Sequence, residues 1–379
     1  MPSVPRRPAV ALAAALALTC LLPTPALASP RPTLRQELRE LVDAVGGPPG
    51  AIALLRRGEH TEVLRAGSAE LGTDRRPSPT DHMRIASVAK AFSGAVTLRL
   101  VDEGVLTLDD TLGLRLPDLP AAWHAVTLRQ LLQHTSGLPD YSGSDDFRAL
   151  LRADPHHVFA PSDLLGFVAG QPLGFAPGSR YQYSNSDNVA AALMAQAATG
   201  CPYEELLAEL VTGPLGLRET TLPSGYQLPE PYLHGYDLAP PEPPLDYSTL
   251  FGASGAWASG GIVSTPADLS AFIRAYGSDD FLSPATRTQQ TAWVDGASEP
   301  AGPGVNSAGL ALFRYTTRCG TVYGHTGNTA GYTQLAVATA DGQRSLTFSV
   351  SEQISKSTRP ALLERLRAVQ EDFVCALLE

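Results

Sequence analysis

Lysine is almost missing from this chain: of 28 cationic side chains only Lys90 and Lys356 are lysine, and arginine supplies the rest. Charge of either sign is sparse, at 17% of residues with a net charge of −10, and no block of like charge or basic stripe occurs. That excludes the electrostatic footprint a nucleic-acid backbone requires. With 44% hydrophobic residues it also excludes disorder over most of the chain. Beyond the N-terminal segment no apolar run reaches the roughly 18 residues a bilayer span needs, so no stable membrane anchor is expected. Three catalytic signatures are absent as well: a Gly-x-Ser-x-Gly elbow, a His-Glu-x-x-His helix and a Walker lysine. His156-His157 lacks a spaced partner for a metal site, so a solvated loop is expected there and no metal; no cofactor is expected either.

What is present begins with an export pattern over residues 1–28. Arg6 and Arg7 precede an apolar stretch from Ala9 to Leu22, and Ala26-Leu27-Ala28 stands before Ser29. The pattern predicts cleavage after Ala28 and a secreted, extracytoplasmic protein. Cys20 follows Ala17-Leu18-Thr19, a poor fit to a lipid-attachment box. Cys201, Cys319 and Cys375 then remain in a compartment where disulfides persist. The simplest count is one bridge and one spare thiol; a Cys319–Cys375 bridge would tie the last helix to a sheet.

The 379 residues suit one large domain or two lobes. Leu34, Leu38, Leu41, Val42 and Val45 share a helical face behind a capping box at Thr33 and Gln36, and Ala51 to Arg56 with Thr61 to Ala66 predict a hairpin. A helix is expected from about Ser87 to Glu103, then a mainly helical middle with segments at 128–134, 162–169, 188–198 and 203–211. Thr333 to Val350 alternates around Asp341-Gly342, a strong hairpin signal, and the stripe Leu362, Leu366, Val369, Phe373 and Leu377 predicts a final helix over that sheet. The two ends of the chain, about 33–82 and 305–379, are therefore expected to share one α/β lobe, with a mainly helical insertion from about 83–304 between them.

Three short motifs carry chemistry. Ser87 and Lys90 lie one helical turn apart, so their tips can meet, and a lysine whose proton affinity is lowered by burial can take a serine proton whereas arginine cannot. Tyr183-Ser184-Asn185 offers a phenol to pass protons and an amide to hold Lys90 and a substrate amide. His325-Thr326-Gly327 follows a strand; Gly327 permits close backbone approach, and the N–H of Asn328 can join that of Ser87 as an oxyanion hole. Each motif alone also fits a plainer reading, as an N-cap serine, an Asx turn and a strand-end turn.

Together and in this order they resemble the penicillin-recognising serine hydrolases: D-alanyl-D-alanine carboxypeptidases, class C β-lactamases and their esterase relatives. Leu131 to Leu138 and Trp257 to Leu269 resemble further recurrent segments of that family. The resemblance implies an α+β, β-lactamase/D,D-peptidase-like fold, an antiparallel sheet flanked by helices plus an all-helical lobe, with the active site between the two lobes. It implies Ser87 as acylated nucleophile, Lys90 and Tyr183 as proton carriers, and Asn185 with His325, Thr326, Gly327 and Asn328 as substrate binders. Trp257 reads equally as a cleft-lining substrate contact and as a buried core aromatic.

Two departures bear on substrate. Asn328 stands where carboxypeptidases of this kind often carry threonine, and the arginine that would hold a terminal carboxylate has two candidates, Arg314 and Arg318. The expectation is a secreted serine D,D-carboxypeptidase releasing D-alanine from small cell-wall peptides, with peptidoglycan precursors as partners and β-lactams as acylating ligands. A β-lactamase or esterase on the same scaffold is the alternative within enzymes. A non-catalytic muropeptide or β-lactam binder is the alternative outside them.

Overall fold

The computed structural model describes residues 1–4, 33–238, 242–278 and 280–379; apart from residues 1–4 the expected export signal lies outside them. Helix α1 (Leu34–Val42) starts on the capping box that its sequence predicts, with Thr33 Oγ1 accepting from Gln36 N–H and Gln36 Oε1 accepting from Thr33 N–H. Strands β1 (Gly50–Arg57) and β2 (His60–Gly67) form the first hairpin. Helix α2 (Ala89–Asp102) follows a 3₁₀ turn over Ala86–Val88. Further along come α3 (Leu128–Leu132), α4 (Asp145–Ala153), α5 (Asn185–Thr199) and α6 (Pro266–Gly277). The chain then lays down β3 (Val294–Asp295), β4 (Val305–Ala308), β5 (Phe313–Thr317), β6 (Gly320–Thr329), β7 (Tyr332–Ala338) and β8 (Arg344–Val350), and ends in α7 (Pro360–Leu378).

The eight strands make one antiparallel sheet in the order β2-β1-β8-β7-β6-β5-β4-β3. Its central register, Ala51↔Val350 through Arg57↔Arg344, joins the first hairpin to the last strand, so residues 50–67 and 344–350 share one sheet. Helices α1 and α7 cover one face, burying Leu38, Leu41, Leu366 and Phe373 against Phe348 and Val350. A disulfide fastens α7 to the sheet: Cys319, in the turn between β5 and β6, is bonded to Cys375, while Cys201 is a free thiol.

The other face meets α6 and the helical lobe, centred on α2 and α5. Almost every side chain of α2 from Ala89 to Leu98 is buried, as expected for a helix surrounded by protein on all sides. The fold is a β-lactamase/D,D-peptidase-like α+β arrangement. Two elements within the segment expected to be helical belong to the sheet side instead. Helix α6 packs on β7 and β8, and β3 is the sheet's edge strand, pairing Val294 with Ala308. A two-residue strand is too short for alternation to reveal it.

Candidate active site

Ser87 stands in the 3₁₀ turn that joins the strand Met83–Arg84 to α2. The strand is held in two ways. It pairs with Val263–Ser264, and the buried Arg84 guanidinium donates to the carbonyls of Tyr226, Ser248 and Phe251 at 2.8 to 3.2 Å. Ala86, just before the serine, takes the left-handed φ of 50°, a conformation that costs energy for a residue with a Cβ and turns the chain sharply at the helix entrance.

One turn on, Lys90 is fully buried and its Nζ lies 3.2 Å from Ser87 Oγ, 2.6 Å from Asn185 Oδ1 and 2.7 Å from Ser259 O. Burial pulls its pKa down to about 7, against the opposing pull of Asp140, Asp187 and Glu299. Two of its three partners are carbonyl oxygens that can only accept. A neutral amine therefore donates its two hydrogens to them and turns its lone pair toward the serine hydroxyl, the one partner able to donate. The Tyr183 ring packs beneath the amine, its centroid 5.0 Å from Nζ. Burial raises the Tyr183 phenol well above its ordinary pKa, with Ser87 pulling the other way, and the phenolic oxygen makes no closed hydrogen bond.

Asn185 is the first residue of α5, three positions earlier than the periodicity predicts, because Ser184 is extended and lets the helix begin at once. Its Nδ2 donates to Asp140 Oδ2 and Ser142 Oγ, both at 3.0 Å, so the amide is largely committed to holding Lys90. Beneath it His134 Nδ1 lies 2.8 Å from Asp187 Oδ2, and Ser136 donates to the other carboxyl oxygen. Burial drives both the imidazole and the carboxyl toward their neutral forms. His134 is thus a structural hydrogen-bonding residue under the site.

The third motif lies on β6. Strand β5 pairs only with residues 320–324 of β6, which leaves residues 325–329 with a free edge on that side. Gly327 presses that segment against the nucleophile turn: a Cβ there would stand 2.3 Å from Ile85 O. A cleft of about 940 Å³ opens here, lined by Ser87, Tyr183, Asn185 and Asn328 among others.

Three expected substrate contacts are not found among its lining side chains. His325 is fully buried beside Phe313, with Nδ1 bonded to Thr326 O, and burial holds its pKa near 3, so the ring is neutral and turned inward. Thr326 Oγ1 donates to Pro300 O at 2.7 Å and fastens a loop. Trp257 is buried in the helical lobe against Tyr203, its indole N–H donating to Glu204. Its segment contributes through Ser259, whose carbonyl accepts from Lys90. Asn328 lines the cleft, but its Nδ2 donates to Ile354 O at 2.6 Å.

Neither arginine candidate lines the cleft. Arg314 stacks on Trp293 and donates to Ser307, and Arg318 pairs with Glu371 and Asp372 of α7. The cleft's cations are Lys356 and Arg367. Sequence reasoning missed Asp140, Ser142, Ser259 and Glu299, which lie in loops or short turns where periodicity carries no signal. Asp140 and Ser259 do adjoin or fall within the segments that resemble recurrent family stretches.

The family model described as Beta-lactamase matches residues 34–370. The chain belongs to the beta-lactamase family. It is 25% identical over 349 residues to penicillin-binding protein 4* of Bacillus subtilis (strain 168), covering 87% of this chain and 74% of that one. It is 30% identical over 247 residues to the D-alanyl-D-alanine-carboxypeptidase/endopeptidase AmpH of Escherichia coli (strain K12), covering 62% of this chain and 59% of that protein. A solved D-stereospecific amidohydrolase from a Streptomyces species superposes with a TM-score of 0.75 at 30% identity, covering 84% of this chain and 93% of that one. The beta-lactamase family assignment makes this chain a serine hydrolase. Among the described residues no helix is long and apolar enough to cross a membrane.

Proposed function

We propose that this beta-lactamase family member is an exported, D-selective acyl hydrolase that cleaves short peptides and amides through an ester on Ser87, and that β-lactams acylate the same oxygen. The observation that carries the reading is the environment of Lys90: a buried amine with a pKa of about 7, bound to two carbonyl oxygens and one hydroxyl. As Ser87 Oγ attacks the scissile carbonyl carbon, its proton passes to Lys90, and the N–H groups of Ser87 and Asn328 hold the oxyanion. The C–N bond then breaks, and Tyr183 relays the proton from Lys90 to the departing amine. Water adds to the ester, gives a proton to the Lys90–Tyr183 pair, and the acid leaves as Ser87 regains a hydrogen. Asn185 is the positioning residue that keeps the amine in place.

The likenesses to AmpH and to the D-stereospecific amidohydrolase support a substrate with a D-residue. In the carboxypeptidase form of this reading the leaving group is the terminal D-alanine of a cell-wall peptide, and Lys356 is the cleft cation that would meet its carboxylate. A β-lactamase or esterase on the same scaffold differs in how fast water clears the acyl-enzyme. A non-catalytic binder is disfavoured by a base already hydrogen-bonded to the hydroxyl. Export rests on the pattern of residues 1–28. The test is a panel of an acyl-D-alanyl-D-alanine peptide, a D-amino acid amide, their L-counterparts, a simple ester and a penicillin. Turnover of D over L substrates, lost in Ser87→Ala, supports the reading; equal turnover of both antipodes contradicts it.

A further inference from the structure

Residues 297–301 line the cleft near Ser87 and Tyr183, and this loop is fastened on either side of Glu299. The Tyr181 phenol donates to Ala297 O at 2.6 Å, Ser298 Oγ shares a 2.9 Å hydrogen bond with the buried Tyr315 phenol, and Thr326 donates to Pro300 O. Glu299 itself has no hydrogen-bond or ion-pair partner among the described residues. Its side chain opens to the cleft, while partial burial and Asp140 raise its pKa and Lys90 lowers it. A carboxylate on an anchored backbone, without a partner, is a preorganised acceptor: its loop was ordered on folding and need not be ordered again on binding.

Among the described residues no cation pairs with it, and Lys356, which lines the same cleft, makes no ion pair with it. Lys90 is spent on Ser87, Asn185 and Ser259, and Arg367 donates to the carbonyls of Gly302 and Gly304. A negative charge beside the nucleophile attracts a substrate cation and repels a substrate carboxylate, and what a peptide or amino acid amide can offer there is a free amino group.

We propose that Glu299 accepts the free ammonium group of the residue whose carbonyl is attacked, making this chain selective for unblocked N-terminal D-residues, as in amino acid amides and short peptides, over N-acylated ones. The inference rests on the acyl-enzyme reading above and adds which end of the substrate is recognised.

The test compares kcat/KM for D-alanine p-nitroanilide and its N-acetyl form in wild type, Glu299→Gln and Glu299→Asp, with penicillin labelling of Ser87 in each protein as a separate readout. A charge-assisted contact predicts a preference of about 10- to 100-fold for the free amine in wild type. In Glu299→Gln that ratio collapses, chiefly through KM, and in Glu299→Asp it is partly kept. A wild type that favours the N-acetyl form, or a ratio unmoved in Glu299→Gln while Ser87 still labels, overturns this inference alone. Hydrolysis of neither substrate with no adduct at Ser87 overturns it together with the acyl-enzyme reading. The wild-type comparison decides the matter even where a variant fails to fold.

Discussion

Lys90 Nζ donates to Asn185 Oδ1 across 2.6 Å and so joins the first turn of α2 to the first turn of α5. The neutral amide holds the amine without a charge of its own, which leaves burial free to set the amine's proton affinity. Acylation should therefore rise with pH along a limb centred near 7, the value burial gives Lys90. Asn185→Asp places an anion at that contact and favours the charged amine, so the limb should move upward by a pH unit or more. The pH dependence of acylation by a chromogenic β-lactam checks this, and an unmoved limb would dissociate it from Lys90.

The same burial links stability to pH. The folded-state pKa of Lys90, about 7 against an ordinary 10.5, means that between those values the unfolded chain binds the proton and the folded chain does not. Stability should therefore increase with pH across that window, by up to about 1.4 kcal/mol per unit from this one group. Replacing it with an apolar chain of similar length, Lys90→Met, should remove that slope. Urea unfolding of both proteins between pH 7 and 9 measures the difference, and parallel profiles would show that the amine is charged in the fold.

Tyr183 is cast as a proton carrier for the departing amine, so its loss should matter most where the leaving group needs a proton. Tyr183→Phe should slow amide hydrolysis by about 10²- to 10⁴-fold and p-nitrophenyl ester hydrolysis far less. Equal losses on both substrates would place the phenol in some other step.

The Cys319–Cys375 bridge closes a loop of 56 residues between the β5–β6 turn and α7. Chain-entropy arguments give such a loop about 4 kcal/mol. The double variant Cys319→Ser, Cys375→Ser should unfold at correspondingly lower urea concentration. A stability unchanged from wild type would mean that packing of Leu366 and Phe373 alone holds the helix.

Much of the frame is legible in the sequence alone. The Thr33 capping box, the hairpin turning at Asp341-Gly342 and the stripe of α7 each rest on a local rule, periodicity or turn chemistry, and each forms where that rule puts it. The Ser87–Lys90 contact was legible for the same reason, being fixed by one turn of helix. What escaped depends on tertiary placement. Trp257 reads equally as cleft or core, and only packing against Tyr203 sends it inward. His325 turns away from the cleft because Phe313 and its own strand enclose it, a fact of sheet register that one strand cannot reveal. Asp140 and Glu299 sit in irregular segments and reach the site across long sequence distances.

The central claim is that Ser87 forms the acyl-enzyme. Incubation with a penicillin followed by peptide mass mapping measures this directly. One equivalent of penicilloyl mass on the peptide containing Ser87, absent in Ser87→Ala together with about 10⁶-fold of the turnover, is the predicted result. Label on any other residue, or turnover that survives in Ser87→Ala, would contradict it.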